Sequence, residues 1–159
     1  MMNTKNKTGT KKYRKKTDIE KLFLQTSRMN MIIESKLQEI EYWREFASKT
    51  SVILDAAGSS GSGSKSSKVE KCVCKIADIE ESLKNDMNEL ICLKEKAMNM
   101  IDRIDKPEYR ALLIQRHLCG KKWAEIAASL GYSYVHTVHR LYPKALECIK
   151  SVNGIGAEG

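Results

Sequence analysis

The row Val69, Val73, Ile76, Glu80, Leu83, Met87, Leu90, Lys94, Ala97, Ile101 and Ile104 alternates steps of four and three over five heptads, and nine of its eleven positions are apolar. A seam that recurs every 3.5 residues belongs to a long helix in coiled-coil packing. A second row, Cys72, Ile79, Leu93 and Met100, widens the apolar face enough for more than one partner helix. Glu80 and Lys94 fall in the seam, where opposite charges can fix register. The methionines serve as core filler.

The simplest partner precedes it. Thr17-Asp18-Ile19-Glu20 has the form of a capping box, which predicts a helix start. The helix is expected to run to about Lys49, with Ile19, Leu22, Met29, Ile33, Leu37, Ile40 and Ala47 on its apolar side and Phe23 and Trp43 flanking it. Gly58 to Ser67 is serine and glycine with one lysine, a composition that favours a flexible loop long enough for chain reversal. The expectation is an antiparallel helical hairpin, with pairing to a second copy of the chain as the alternative. The expected organisation is a basic disordered arm at 1–16, a first long helix within 17–57, a loop at 58–67, a second long helix within 68–105, a compact helical domain at 106–150 and a flexible tail at 151–159. The fold class is all-α.

Within 106–150 lies a second organised stretch. Pro107 suits a first helical turn and opens a helix through Leu118, with Tyr109, Leu112, Leu113 and Leu118 available for packing. Trp123, Ile126, Ala127 and Leu130 then share one helical face, and Gly131 follows where a left-handed stop is cheapest for glycine. Ser133 is placed to cap a further helix, whose apolar stripe is Tyr134, Val138, Leu141, Ala145 and Ile149. Helix, glycine turn and second amphipathic helix make a helix-turn-helix, whose core is expected from Trp123, Ile126, Ala127, Leu130, Gly131, Val138 and Leu141. Val138 and Leu141 come one residue later than the tightest form of the motif would have them, which predicts a turn one residue longer. Pro143 removes a backbone hydrogen bond, so a kink is expected near Val138–Leu141.

About 100° per residue turns His136, Arg140 and Lys144 outward, with Ser133 and Thr137 on the flank. Hydrogen-bonding and cationic side chains in one row suit a DNA groove. The candidate DNA-binding residues are Lys121, Lys122, Ser133, Tyr134, His136, Thr137, His139, Arg140 and Lys144. Lys121 and Lys122 are expected at phosphate and Arg140 at a base edge. His136 and His139 lack a third ligand type nearby, so no metal is expected, and no cofactor.

The net charge of +8 is unevenly placed. Residues 1–16 carry seven bases and no acid, residues 17–105 carry 13 bases and 16 acids, and residues 106–150 carry eight bases and three acids. Positive charge therefore sits on the arm and on the helix-turn-helix region, the electrostatic footprint of a nucleic-acid binder. The arm can remain a solvated tail or add phosphate contacts without specificity. The five cysteines are an odd number scattered on predicted helices, which suits reduced thiols in a cytosolic protein. No apolar run approaches a bilayer span, so no membrane partner is expected.

The run Pro107-Glu108-Tyr109-Arg110, then Leu113, Arg116, Leu118, Gly120-Lys121-Lys122-Trp123-Ala124-Glu125-Ile126-Ala127, then Leu130-Gly131-Tyr132-Ser133, ending in Lys144-Ala145-Leu146, resembles region 4 of sigma-70-type bacterial sigma factors, which binds the promoter −35 element. It is still more similar to small phage and prophage proteins of Gram-positive bacteria, the ArpU/RinA-type transcriptional regulators. Those proteins place a long helical hairpin before the module. The resemblance implies a phage or prophage regulator of late genes that binds double-stranded DNA, acts with RNA polymerase and works in the bacterial host cytoplasm at the nucleoid. Nothing resembles the other sigma regions.

An enzyme is not expected. Gly58–Ser67 lacks the flanking strand and the ordered Gly-Lys-Ser/Thr ending of a phosphate-binding loop, and no nucleophile–base pair stands out. Two rival readings belong to other classes. One is a small terminase-like subunit that recognises DNA for packaging, expected to form a ring. The other is a coiled-coil adaptor that binds no DNA.

Overall fold

A computed structural model describes residues 16–58 and 62–155, except for the side chains of 54, 55 and 62–66. Of the basic arm only Lys16 falls within it. Residues 59–61 of the serine-glycine stretch and 156–159 of the tail lie outside the described residues. The fold is all-α, a long helix pair followed by shorter helices.

Helix α1 spans Asp18–Ala56 and α2 spans Ser62–Ile101. At the start of α1 the backbone N–H and the hydroxyl of Thr17 both donate to the Glu20 carboxylate, at 2.9 and 2.7 Å. Both helices outrun the sequence expectation: α1 continues past Lys49, and α2 begins inside the stretch read as a loop. Glycine costs about 1 kcal/mol against alanine in a helix. A helix already nucleated by its heptads nevertheless extends at little further cost. Lys36 reaches Ser82 (2.6 Å) and Asp86, while Arg44, further along α1, reaches Glu80, earlier on α2. The pair is therefore antiparallel within one chain.

The seam departs from the expected one at three of its eleven positions. Cys72, Ile79, Leu83, Leu93, Ala97 and Ile101 are buried, with Ile76 and Leu90 half-buried, whereas Val73, Glu80 and Met87 are exposed. Ile76, Leu83, Leu90 and Ala97 can be flanked on the inward side either by Val73, Glu80 and Met87 or by Cys72, Ile79 and Leu93. Turning the second flank inward buries Cys72, Ile79 and Leu93, whereas the first would strip water from Glu80. On α1, Leu37 is likewise exposed. Lys36 takes the facing position and meets Asp86, both side chains about three-quarters covered.

After the hairpin come α3 (Pro107–Leu113), a π-helical turn (Ile114–Leu118), α4 (Trp123–Leu130), α5 (Tyr134–His136), a second π-helical turn (Thr137–Leu141) and α6 (Tyr142–Val152). These do not form a core of their own. One buried cluster joins Ile19 and Phe23 of α1, Ala97 and Ile101 of α2, and Ile104 to Leu112, Ile126, Leu141, Ala145 and Ile149. A smaller cluster, Ile40, Ile79 and Leu83, lies further out along the hairpin. The boundary expected at 105/106 is thus crossed by the main core.

Residues 151–155 are ordered, against the expectation of a frayed tail. Gly154 takes a positive φ of 68°, and the Ile155 N–H bonds the Lys150 carbonyl at 2.9 Å. Asn153 Nδ2 donates to the carbonyls of Ile149 (2.8 Å) and Met100 (3.1 Å), tying the end of α6 to the end of α2. None of the five cysteines is in a disulfide. Among the described residues no helix is long and apolar enough to cross a membrane.

Candidate nucleic-acid interface

The segment before α4 is held from three sides. The Lys121 N–H bonds the Gln115 carbonyl at 2.9 Å, and the Lys122 N–H donates to Glu125 at 2.8 Å. The Arg116 guanidinium lies 4.5 Å from the Trp123 ring centroid and donates to the Lys121 carbonyl at 3.1 Å. The backbone of both lysines is fixed while their side chains stay exposed.

The turn follows from glycine. Gly131 adopts φ 73° and ψ 24°, the Tyr132 N–H bonds the Ala127 carbonyl (3.0 Å), and the Gly131 N–H bonds the Ala128 carbonyl (3.3 Å). This pair of bonds is a Schellman stop. Ser133 then accepts the His136 N–H at 3.2 Å as the cap of α5. Three residues separate α4 from α5, so the turn is not lengthened. The displaced residue is inside the following helix, in the π-helical turn Thr137–Leu141, where the Tyr142 N–H reaches back five residues to the Thr137 carbonyl. Pro143 has no N–H to continue a regular ladder, and a widened turn directly before it absorbs the defect.

The π turn also explains which expected positions moved. Thr137 is fully buried and its hydroxyl donates to the Ser133 carbonyl at 2.9 Å, so it is a core residue and cannot contact DNA. Tyr134, assigned to both the apolar stripe and the DNA set, is 52% exposed and belongs only to the outer face. Ile126, Ala127 and Leu141 are buried and Trp123, Leu130 and Val138 half-buried, as a helix-turn-helix core requires, with Gly131 exposed at the turn.

Ser133, Tyr134, His136, His139, Arg140 and Lys144 are all exposed. Val135, at 64%, joins them and was not anticipated. Its signal was faint: a branched apolar residue beside Tyr134, one step off the buried period. Among the described residues, Lys121, Lys122, Arg140 and Lys144 make no ion pair, so their charge is available to a partner. The ring of His136 stacks on Tyr132 (centroids 4.9 Å apart, planes at 22°). The negative charge of Glu108 on α3 holds the Tyr132 phenol above its ordinary pKa. The stacked rings tie the turn to the start of α5.

The module is also fastened to the hairpin. His117 stacks face to face on Phe23 (3.8 Å, 4°) and shares a 3.1 Å hydrogen bond with the Tyr142 hydroxyl. Burial, helped by Arg116, lowers its pKa to about 4, so the ring is neutral at pH 7. Lys150 pairs with Glu20 at 3.3 Å, both side chains largely covered. Burial alone would raise the Glu20 pKa, but the Thr17 N–H and hydroxyl and the Lys150 ammonium bring it down to about 2. The module that carries the exposed face of α5 is thus tied to the hairpin by a ring stack and an ion pair.

Comparison with known protein families, with curated proteins and with solved structures finds no match for this chain.

Proposed function

We propose that the chain is a sequence-specific transcriptional regulator that docks α5 and the π-helical turn after it in the major groove of double-stranded DNA. The observation that carries this reading is the exposed set His136, His139, Arg140 and Lys144 on a capped helical stretch that follows a three-residue glycine turn. In such motifs the first residues of the second helix meet base edges. Arg140 suits a guanine edge, and the Val135 methyls suit a thymine methyl. Lys121 and Lys122, fixed in backbone before α4, suit phosphate. The likeness to sigma region 4 and to ArpU/RinA-type regulators points the same way, towards control of phage or prophage late genes beside RNA polymerase in the host cytoplasm.

Selection from a pool of random duplexes, at fixed salt and with sequencing of the retained fraction, tests the reading. A shared motif is expected to be enriched over successive rounds. Retention no better than that of an unrelated acidic protein would leave the adaptor reading in its place.

A further inference from the structure

Helix α1 carries more apolar surface than its seam with α2 uses. Ile32, Tyr42, Phe46 and Ile53 remain 45%, 59%, 43% and 67% exposed. With Ser35, Glu39 and Lys49 between them they form one row, at alternating steps of three and four. That is a second heptad seam, each position one residue before the inward set Ile33, Lys36, Ile40 and Trp43, and so about 100° round the helix. The rings of Tyr42, Trp43 and Phe46 already lie against one another, with centroids 5.3 to 6.4 Å apart. Aromatic side chains held in place in advance lose little freedom on docking, as interface anchors require. The hairpin beneath them is thin, its outer cluster having only Ile40, Ile79 and Leu83 buried.

The order of charges in the row indicates the occupant. We propose that this face is a homodimer seam, on which α1 of a second copy lies antiparallel about a two-fold axis at Arg44. In that register Tyr42 meets Phe46 of the second copy and Glu39 meets its Lys49, and the two-fold repeats each contact. Sliding one copy by a heptad sets Glu39 against Tyr42, or Lys49 against Phe46, and loses both ion pairs. A parallel pairing sets Glu39 against Glu39 and Lys49 against Lys49. Only the antiparallel register centred on Arg44 is complementary to itself, as an isologous interface must be. Among the described residues Glu39 accepts the Trp43 indole N–H (3.3 Å), and Lys49 pairs with Glu45 (3.4 Å) at the open surface. Exposed contacts of this kind are weak and easily exchanged. The inference stands apart from the DNA reading, since it uses no residue of the helix-turn-helix.

Sedimentation velocity of the full chain, without DNA, tests it, with a dimer expected at micromolar concentration. Glu39→Lys alone and Lys49→Glu alone each place two pairs of like charges in the seam. Each is expected to weaken the dimer about tenfold or more, with the helical circular dichroism unchanged because both positions are exposed. The double variant Glu39→Lys/Lys49→Glu reverses both partners and is expected to return to within about threefold of wild type. A chain that stays monomeric to about 100 μM, a ring-sized assembly, single reversals without effect, or a double variant no tighter than the singles would each overturn the proposal.

Discussion

His117 is squeezed between Phe23 and the Tyr142 hydroxyl in a site that disfavours its charged form. Its pKa of about 4 in the folded chain lies below the ordinary value of 6.5, so the unfolded chain takes up the proton first as pH falls. The stability it contributes is complete above about pH 6.5 and is lost as pH drops towards 4. Between pH 7 and 5 the loss is on the order of 1–2 kcal/mol, and urea unfolding at the two values measures it. Glu20 adds nothing in that window, because its lowered pKa acts only below the ordinary carboxylate value of 4.5. His117→Phe keeps a ring on Phe23 and should remove most of the pH dependence. If that variant loses as much stability as wild type between pH 7 and 5, the titrating group is elsewhere. Arg140 is a different kind of residue, exposed and unpaired on the outer face of the π turn. Arg140→Ala should cost roughly 1–3 kcal/mol at a selected duplex and much less at a scrambled one. Equal losses at both would make Arg140 a phosphate contact.

Elements are where the sequence was read best and where it misled. The two rows on α2 make a sharp comparison: Leu83 is buried in the seam and Met87 is about half exposed, although the heptad row contains both. Leu83→Ala should cost about 2–5 kcal/mol, and Met87→Ala should fall within about 0.5 kcal/mol. Comparable losses in denaturant unfolding would mean that the other row is inward. Periodicity announced a long helix but left two faces nearly equivalent, because Ile76, Leu83, Leu90 and Ala97 can pack with either flank. The choice lay in the cost of burying Glu80, a term that periodicity does not weigh. The capping box at Thr17, the proline start of α3, the glycine stop at Gly131 and the Ser133 cap were all legible, since each is a local backbone need met by one residue type. The π-helical turns were not. A turn with one extra residue looks, in sequence, the same as a longer loop, and so Thr137 is expected on the flank and among the DNA contacts, although it is buried. Serine and glycine at 62–67 misled in the opposite direction, because local composition says nothing of a helix propagating into it.

At the scale of the whole molecule, helix-turn-helix and hairpin share one buried cluster. Ile19, Phe23, Ala97, Ile101 and Ile104 lie in the same buried cluster as Leu112, Ile126, Leu141 and Ile149. Residues 106–155 alone would expose that shared surface to water. The isolated fragment should therefore show no cooperative thermal transition by circular dichroism, and a sharp transition would show the module to be self-sufficient. The face of α5 then owes its rigidity to the whole chain: His117 on Phe23, Lys150 on Glu20 and Asn153 on Met100 each tie the module to the hairpin. The central claim is that this face binds duplex DNA. It is tested most directly by replacing His139, Arg140 and Lys144 together with alanine and titrating a labelled duplex, taken from the selection, by fluorescence anisotropy at fixed salt. All three side chains are exposed, so the melting temperature should hold. Affinity should fall by roughly 100-fold or more, as about 1 kcal/mol for each of three lost contacts implies. Full affinity in the triple variant, with the fold intact, would contradict the assignment of this face to DNA.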